Sequence, residues 1–393
     1  MEMSFNYENR LKKLQAIMKS EGLDAFVVST QDGIYYLSGA SYKPEERPFF
    51  ILVRQEGKYD LVVPYLEYEH MKKASGYNTI VYYFEYPASE GQNWYDLLQS
   101  VLGTDVRVGV EPELAVAKSK QLQVREVVVS DAIARLRMVK EPEEIDAIRT
   151  AAKWTDKGMK LLHGSIYPGC SVIETVTHAK KLQTGVISTG EYDYLNCSFL
   201  TAGWAAPASA QPHSVPDFHL RMGRGPIVLM SYNRVNGYAA ECERTVFLGE
   251  PSVEELNLYH TMVQARELAF SLIRPGVPCG EIDAATWDFF TDKGYGDRIL
   301  HRVGHGIGMG NHEQPWLSRG SADVLEENMV ISVEPGLYFD EIGGFRHSDT
   351  VLVTKTGYEL LTHYPRDLEN LIVRSSRLIQ RIKGAITRKA INY

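Results

Sequence analysis

The sequence predicts an α/β N-terminal domain followed by an α+β C-terminal domain. Helical and strand patterns alternate over the first third, long helices and hairpins are mixed afterwards, and the pattern changes near Asp131. The 393 residues are enough for two or three domains with ample cores. We place the domain boundaries at residues 1–135, 136–163 and 164–393, with a long helix as the middle segment.

The N-terminal elements follow from hydrophobic spacing. "YENRLKKLQAIMKSEGL" has apolar residues at helical spacing, and "WYDLLQSVLG" predicts a second helix. Strands are predicted for "DAFVVST", "IYYLSGAS", "PFFILVRQEGKYDLVVP", "NTIVYYFEY" and "VRVGVE". In the middle segment, Pro142 followed by Glu143 and Glu144 is typical of a helix start.

Net charge, apolar run length and cysteine spacing limit the kinds of partner that the chain is expected to bind. The net charge is −8, and no Lys/Arg-rich run is present, so we expect no nucleic-acid partner. No stretch approaches the roughly 18 apolar residues of a membrane span, and we expect no membrane partner. Four scattered cysteines without a CxxC pattern indicate reduced thiols and a cytoplasmic location.

The stretch "SYNRVNGYAAECERTVFLG" predicts a hairpin with its turn at Asn236-Gly237. Side chains at i and i+2 of a strand share a face, so Glu241 and Glu243 should project together, whereas Arg244 is out of phase and suits a structural ion pair.

Four further segments place polar groups among glycines and prolines. They are "AQPHSVP" with His213, "HRVGHGIGMGNHEQPW" with His301, His305, His312 and Glu313, "NMVISVEPGLYF" with Glu334, and "GGFRHSDTVLVT" with Arg346, His347, Ser348 and Asp349. An acid at the end of a buried strand, as Glu334 is, costs free energy unless it is paired, which favours a functional role. Taken singly, the other residues are also compatible with ordinary loop or surface positions.

The order of these motifs, together with "LRMVKEPEEIDAIRTAA", resembles the creatinase/aminopeptidase P/prolidase family. The resemblance implies the pita-bread fold for residues 164–393, a creatinase-like N-terminal domain for 1–135 and a linker helix for 136–163. Peptidases of that family bind two divalent metals through five side chains. Those positions fall here on Met230 (or Ser231), Glu241, His305, Glu334 and Ser348.

The site departs from the peptidase pattern, because Met230 and Ser348 stand where acids are expected. Two close cations need bridging carboxylates, and a thioether suits Mn, Mg or Co poorly, so we expect no dinuclear centre. The metal-free members, creatinase and ectoine hydrolase, match better in some respects, since creatinase also has an "ERT" hairpin. The segment "GNHEQPW", however, follows the peptidase style.

We therefore predict a metal-independent hydrolase of a C–N bond in a small amidine, amide or cyclic amidine, with no cofactor. In this interpretation His213 is the proton shuttle, Glu243 and Glu334 grip a cationic group, and His305 completes the catalytic set. The predicted substrate-binding residues are Glu241, His312, Arg346, His347 and Arg47. Arg47 is included because the family's N-terminal domain reaches into the partner subunit's site of a homodimer.

Two alternatives stay open. In an Xaa-Pro dipeptidase or aminopeptidase with an altered site, Glu241, His305 and Glu334 would bind one metal, with His347 as a possible further ligand. His213, His312 and Glu313 would then transfer protons. In a catalytically inactive binding module, the polar ring would have no chemical role, although unpaired buried polar groups are costly to keep.

Overall fold

The structure is a computed structural model that describes residues 5–43, 45–215, 217, 219–374 and 377–390. The chain separates into two compact units, Met1–Arg137 and Met138–Tyr393. None of the helices in these described ranges is long and apolar enough to cross a bilayer.

The first unit contains a mixed sheet of six strands in the order β4-β3-β2-β1-β5-β6. β1 pairs antiparallel with β2 and parallel with β5. Its strands are β1 (Ala25–Val28), β2 (Phe50–Arg54), β3 (Tyr59–Pro64), β4 (Tyr77–Tyr83), β5 (Arg107–Val110) and β6 (Glu126–Val129). Its helices are α1 (Tyr7–Glu21), α2 (Gln31–Ser38), α3 (Tyr68–Met71), α4 (Trp94–Leu102), α5 (Val116–Ser119) and α6 (Ala132–Met138).

The α/β character of this unit is confirmed, but the strand predicted for "IYYLSGAS" is wrong. That segment belongs to helix α2. The Thr30 side chain caps the helix by accepting a hydrogen bond from the Gly33 amide, and the backbone leaves the helix at Gly39 with a φ of 69°. Burial on all sides conceals helical periodicity, so a short buried helix and a buried strand have the same apolar pattern.

The second unit contains a nine-stranded sheet whose main path is β11-β10-β12-β15-β9-β8-β7, with β16 beside β15 and β17 beside β9. A separate pair, β13 and β14, is antiparallel. The strands are β7 (Ser198–Ala205), β8 (Pro226–Val235), β9 (Tyr238–Leu248), β10 (Gly304–Gly306), β11 (Glu313–Leu317), β12 (Val330–Val333), β13 (Gly336–Phe339), β14 (Gly343–Arg346), β15 (Ser348–Thr354), β16 (Gly357–Leu360) and β17 (Ile372–Val373).

The helices of this unit are α7 (Pro142–Ser165), α8 (Val172–Val176), α9 (His178–Ile187), α10 (Val253–Leu272), α11 (Cys279–Asp292), α12 (Leu368–Leu371) and α13 (Leu378–Ala390). Helix α7 begins at Pro142, as predicted, and a capping box between Glu141 and Glu144 closes its first turn. Its buried face packs against β8 and β9. The apolar core on that side of the sheet includes Met159, Leu162, Leu229 and Val246.

Two largely buried histidines, His163 near the end of α7 and His178 at the start of α9, make the second unit sensitive to acid. His163 Nδ1 lies 2.7 Å from the Tyr364 hydroxyl, and His178 Nε2 lies 2.8 Å from the Ser165 hydroxyl. Burial lowers the pKa of each ring from 6.5 to about 4. The unfolded chain therefore takes up these protons first as the pH falls.

We expect the free energy of unfolding to be intact above pH 6.5 and to decrease towards pH 4, by about 2 to 3 kcal/mol for each ring. Urea unfolding across this window checks the prediction. A His163→Gln/His178→Gln variant should lose stability less steeply, while the other acid-sensitive groups act equally in both proteins. An identical pH slope in the variant and the parent would contradict it.

Candidate active site

The β8–β9 hairpin carries the acids of the site. Asn236 and Gly237 both have positive φ, 51° and 87°, and form the predicted turn. β9 lies between β8 and β15, and every residue in it is buried. Glu241 and Glu243 project from one face, whereas Arg244 projects from the other, as strand alternation requires.

Glu241 is held by two hydroxyl groups. Its Oε1 accepts hydrogen bonds from Ser332 Oγ at 2.5 Å and Ser348 Oγ at 2.9 Å, and the two hydroxyls lie 3.0 Å apart. The same oxygen lies 3.6 Å from His305 Nε2. Burial raises the pKa of Glu241, and the charge of His305 and the hydroxyl hydrogen bonds oppose that rise. Ser348, which stands where the peptidase pattern has a ligand acid, therefore donates a hydrogen bond to the Glu241 carboxylate.

His305 joins Glu241 to Glu334. Its Nε2 lies 3.3 Å from Glu334 Oε1, and its Nδ1 lies 3.0 Å from the Gly306 carbonyl oxygen. Burial alone would lower the pKa of His305, but the nearby carboxylates of Glu334 and Glu241 raise it to about 9. The same contacts hold the pKa of Glu334 well below its usual range despite its burial. The two acids thus favour a protonated His305 ring, whose proton a bound cation would replace.

The glycines of the GHG motif allow β10 to approach its neighbouring strands. A Cβ at Gly304 would clash with the Ser332 carbonyl oxygen, and a Cβ at Gly306 would clash with that of Gln314. The register places His305 opposite Ser332 on β12 and opposite Trp316 on β11. The absence of side chains at both glycines therefore positions His305 over the acids.

Glu243 forms a second, separate ion pair with Arg346. Arg346 Nη2 donates to Glu243 Oε1 at 2.7 Å, and Nε lies 2.5 Å from Oε2. Arg346 Nη1 also donates to the Tyr338 hydroxyl at 3.1 Å, and that hydroxyl lies 2.6 Å from His301 Nε2. Burial raises the pKa of Glu243 to about 7 against the opposing charge of Arg346.

The hairpin register relates this pair to the missing acid. Met230 on β8 lies directly opposite Glu243 on β9. A carboxylate is therefore present at this end of the site, but it is on the neighbouring strand and its two oxygens face a guanidinium. The guanidinium of Arg346 thus supplies the positive charge that pairs with Glu243.

Two exposed histidines continue from the buried one. The ring centroids of His305 and His312 are 4.0 Å apart, and those of His312 and His213 are 6.3 Å apart. His213 and His312 are both exposed. Glu313 is directed elsewhere, since it accepts from Lys140 Nζ at 3.0 Å and from the Gly310 amide at 3.1 Å. The three imidazole rings thus form a row that runs from the exposed His213, past His312, to the buried His305.

The structure does not bring every predicted site residue together. His347 is buried on the opposite face of the sheet, where its ring centroid lies 5.4 Å from that of Tyr259, and burial lowers its pKa well below the usual range. A substrate-binding role for His347 conflicts with this placement. Arg47 belongs to the first unit and pairs with Glu46 and Glu85.

Sequence reasoning missed two supporting residues, Ser332 and Tyr338, and gave no role to His301, although it singled out that histidine. The signal for Ser332 was its position two residues before Glu334 in an otherwise apolar strand. Tyr338 carried no comparable signal, and no role for His301 could be inferred, because their contact joins the β13 strand to the segment before β10.

A single divalent cation fits the donors, whereas two do not. One ligand atom each from Glu241, His305 and His312 lies within 4.8 Å of the others, and Glu334 adjoins His305. Met230 and Ser348 offer no carboxylate, and Glu243 is neutralised by Arg346. Hard and borderline divalent cations prefer such carboxylate and imidazole donors.

Comparison with known proteins agrees with this architecture. Residues 146–355 match metallopeptidase family M24, and residues 10–139 match the creatinase/prolidase N-terminal domain. An uncharacterized peptidase of Staphylococcus aureus (strain USA300) is 31% identical over 364 residues, covering 91% of this chain and 99% of the relative.

Two solved structures are similar over nearly their full length. The prolidase from Pyrococcus horikoshii OT3 has a TM-score of 0.78 at 27% identity, covering 92% of this chain and 99% of that one. The Xaa-Pro dipeptidase from Bacillus anthracis has a TM-score of 0.77 at 26% identity, covering 93% and 100%. The pita-bread fold expected from the motifs is thereby confirmed. The chain belongs to metallopeptidase family M24, as a hydrolase acting on C–N bonds with a creatinase/prolidase N-terminal domain.

Proposed function

We propose that the chain hydrolyses Xaa-Pro dipeptides, or closely related short peptides, at a site that holds a single divalent cation. The observation that carries the proposal is the convergence of Glu241, His305 and Glu334 beneath His312, while Met230 and Ser348 replace the remaining acids. The family match and the prolidase neighbours favour this alternative over the metal-independent interpretation.

Each residue has a definable part in such a site. Glu241, Glu334 and His305 would hold the ion, with His312 within reach of it. A bound divalent ion polarises a carbonyl oxygen and lowers the pKa of water. Ser332 and Ser348 fix Glu241 by donating to its Oε1. His213, exposed at the entrance, is suited to carry a proton between solvent and the scissile nitrogen. Partial burial and the charge of His305 lower the pKa of His312 to about 4, which favours the neutral ring that a cation would bind.

Arg346 and Glu243 are suited to shape the substrate pocket. Their side chains neutralise one another, and Arg346 also contacts the Pro212 carbonyl oxygen at 3.4 Å, next to His213. A narrow crevice beside them, too tight to hold a water molecule, is lined by Trp204, Pro212, Val228, Tyr338 and Arg346, among others. We also propose that the chain forms a homodimer, in which Arg47 would contact the substrate bound by the partner subunit. The cytoplasmic location is a separate proposal.

A metal measurement tests the main proposal. We expect at most one equivalent of divalent metal per purified chain, hydrolysis of dipeptides such as Met-Pro, loss of that activity on chelation, and recovery with Mn²⁺ or Co²⁺. Elemental analysis and a chelator titration of turnover provide the readouts. Two bound ions per chain, or peptide turnover that chelation leaves unchanged, would contradict the proposal.

The second candidate is the metal-independent hydrolase of a small cationic substrate. The carboxylates of Glu241 and Glu334 favour it, because they could grip a guanidinium or amidine through charge-assisted hydrogen bonds, and a cationic substrate could also displace Arg346 from Glu243. Turnover of creatine-like or ectoine-like compounds in the presence of a chelator would select this function. If all these substrates and the dipeptides were inert, a binding module would be favoured.

A further inference from the structure

The C-terminal helix α13 has an unusual orientation on its unit. Its small and polar side, formed by Gln380, Gly384, Thr387 and Arg388, is the less exposed side. Arg388 pairs with Glu174 and donates to the Tyr167 hydroxyl at 2.8 Å. A Cβ at Gly384 would clash with the Glu174 carboxylate and the Tyr167 hydroxyl, so glycine permits the close approach.

The apolar side of this helix faces outward. Leu378, Ile379, Ile382 and Ile386 are 64%, 64%, 54% and 63% exposed. Their spacing of i, i+1, i+4 and i+8 gathers them into one stripe, opposite the docked side. A surface helix ordinarily buries such a stripe against its own core, so this arrangement indicates an external partner.

The charges around the stripe are of one sign. Residues 374–393 contain no Asp or Glu, although the whole chain has a net charge of −8. Arg381 and Lys383 flank Ile382 on either edge of the stripe, Lys389 lies beyond Ile386, and all three side chains are exposed. Lysine and arginine stems can lie along an apolar surface while their charged ends reach outward. The partner should therefore combine an apolar interior with an anionic surface.

We propose that α13 lies on an anionic phospholipid surface, with the Leu378/Ile379/Ile382/Ile386 stripe inserted below the headgroups and Arg381, Lys383 and Lys389 among them. A helix lying in the interface needs no membrane span. A second copy of α13 is a poorer partner, because pairing two such stripes would bring like charges together. The helix also lies after the segment that matches family M24, which ends at residue 355.

Vesicle co-sedimentation of the full chain tests this proposal. We expect binding to phosphatidylcholine vesicles containing about 30 mol% phosphatidylglycerol to exceed binding to pure phosphatidylcholine by about tenfold or more, and to weaken as salt rises from about 0.1 to about 0.5 M. Lys383→Gln/Lys389→Gln should reduce the preference for anionic vesicles about tenfold.

Matched variants distinguish binding through the apolar stripe from non-specific adsorption of the protein to vesicles. Ile382→Glu and Ile386→Glu should each weaken binding about tenfold or more without changing the melting temperature, since both side chains are already exposed. Val253→Glu, which alters a 76% exposed valine at the start of α10, should bind like the parent. Failure to bind anionic vesicles, or unchanged binding by the isoleucine variants, would overturn the proposal. A dimer that Ile386→Glu converts to a monomer would instead show that a second copy covers the stripe.

Discussion

Replacing Glu334 by glutamine should abolish cation binding and reduce turnover at least about a hundredfold while leaving the fold intact. The substitution keeps the shape of the side chain but removes the charge that lies 3.3 Å from His305 Nε2. Glu241 and His305 would then be the principal donors, since Ser348 and Met230 cannot compensate. Calorimetric titration with Mn²⁺ and dipeptide kinetics would measure both effects.

Two features make this experiment informative. Glu341→Gln alters an exposed acid elsewhere in the same unit and should change neither quantity. The two candidate functions also separate, because both require Glu334 for turnover but only the peptidase loses a bound ion with it. Loss of turnover in Glu334→Gln, with no Mn²⁺ bound by either the parent or the variant, would move the assignment to the metal-independent hydrolase.

The hairpin acids illustrate what the sequence could predict. A two-residue turn at Asn236-Gly237 and strict strand alternation place Glu241 and Glu243 together and Arg244 away from them, and the structure agrees. The sequence could not show that Glu243 would face Arg346 at 2.5 Å, because that contact joins β9 to β14 across about a hundred residues.

Strand alternation also accounts for the position of His347. Ser348 donates to Glu241, so its neighbour in an extended chain must face the other way. His347 was predicted to bind substrate and adjoins Ser348, but neighbouring residues of an extended strand point to opposite faces. The same rule could have placed Ser332 in the site, because Ser332 lies two residues before Glu334 and therefore faces the same side of the sheet.

The other face of β15 holds a buried network of ion pairs around Asp349. Asp349 is fully buried, and its carboxylate accepts from Arg244 at 2.8 Å, from Thr362 at 2.8 Å, and from Arg266 and Arg366. These guanidinium charges hold its pKa well below the usual range despite burial. Arg244 also donates to the carbonyl oxygens of Ser348 and Pro365, so the network joins β9, β15 and the segment after β16.

Asp349→Asn should lower the free energy of unfolding by about 3 to 5 kcal/mol. The amide can still accept a hydrogen bond, but the buried guanidinium of Arg244 and the nearly buried one of Arg266 would lose their counter-charge. Burial of an uncompensated charge costs far more than the pair itself contributes. Because the pKa of Asp349 is lowered on folding, its stabilisation is present above the unfolded value of about 3.9 and declines as the pH falls below it.

Asp288→Asn is the matched control, since it breaks an Arg–Asp contact to Arg319 in which the side chains are 46% and 72% exposed. Exposed pairs contribute about 0 to 1 kcal/mol, so this variant should unfold within that margin of the parent. Urea denaturation at pH 7 compares the two variants directly. Equal losses in both would mean that burial does not govern the Asp349 network, whereas a large loss confined to Asp349→Asn would identify it as the electrostatic anchor of the sheet that carries Glu241 and Glu243.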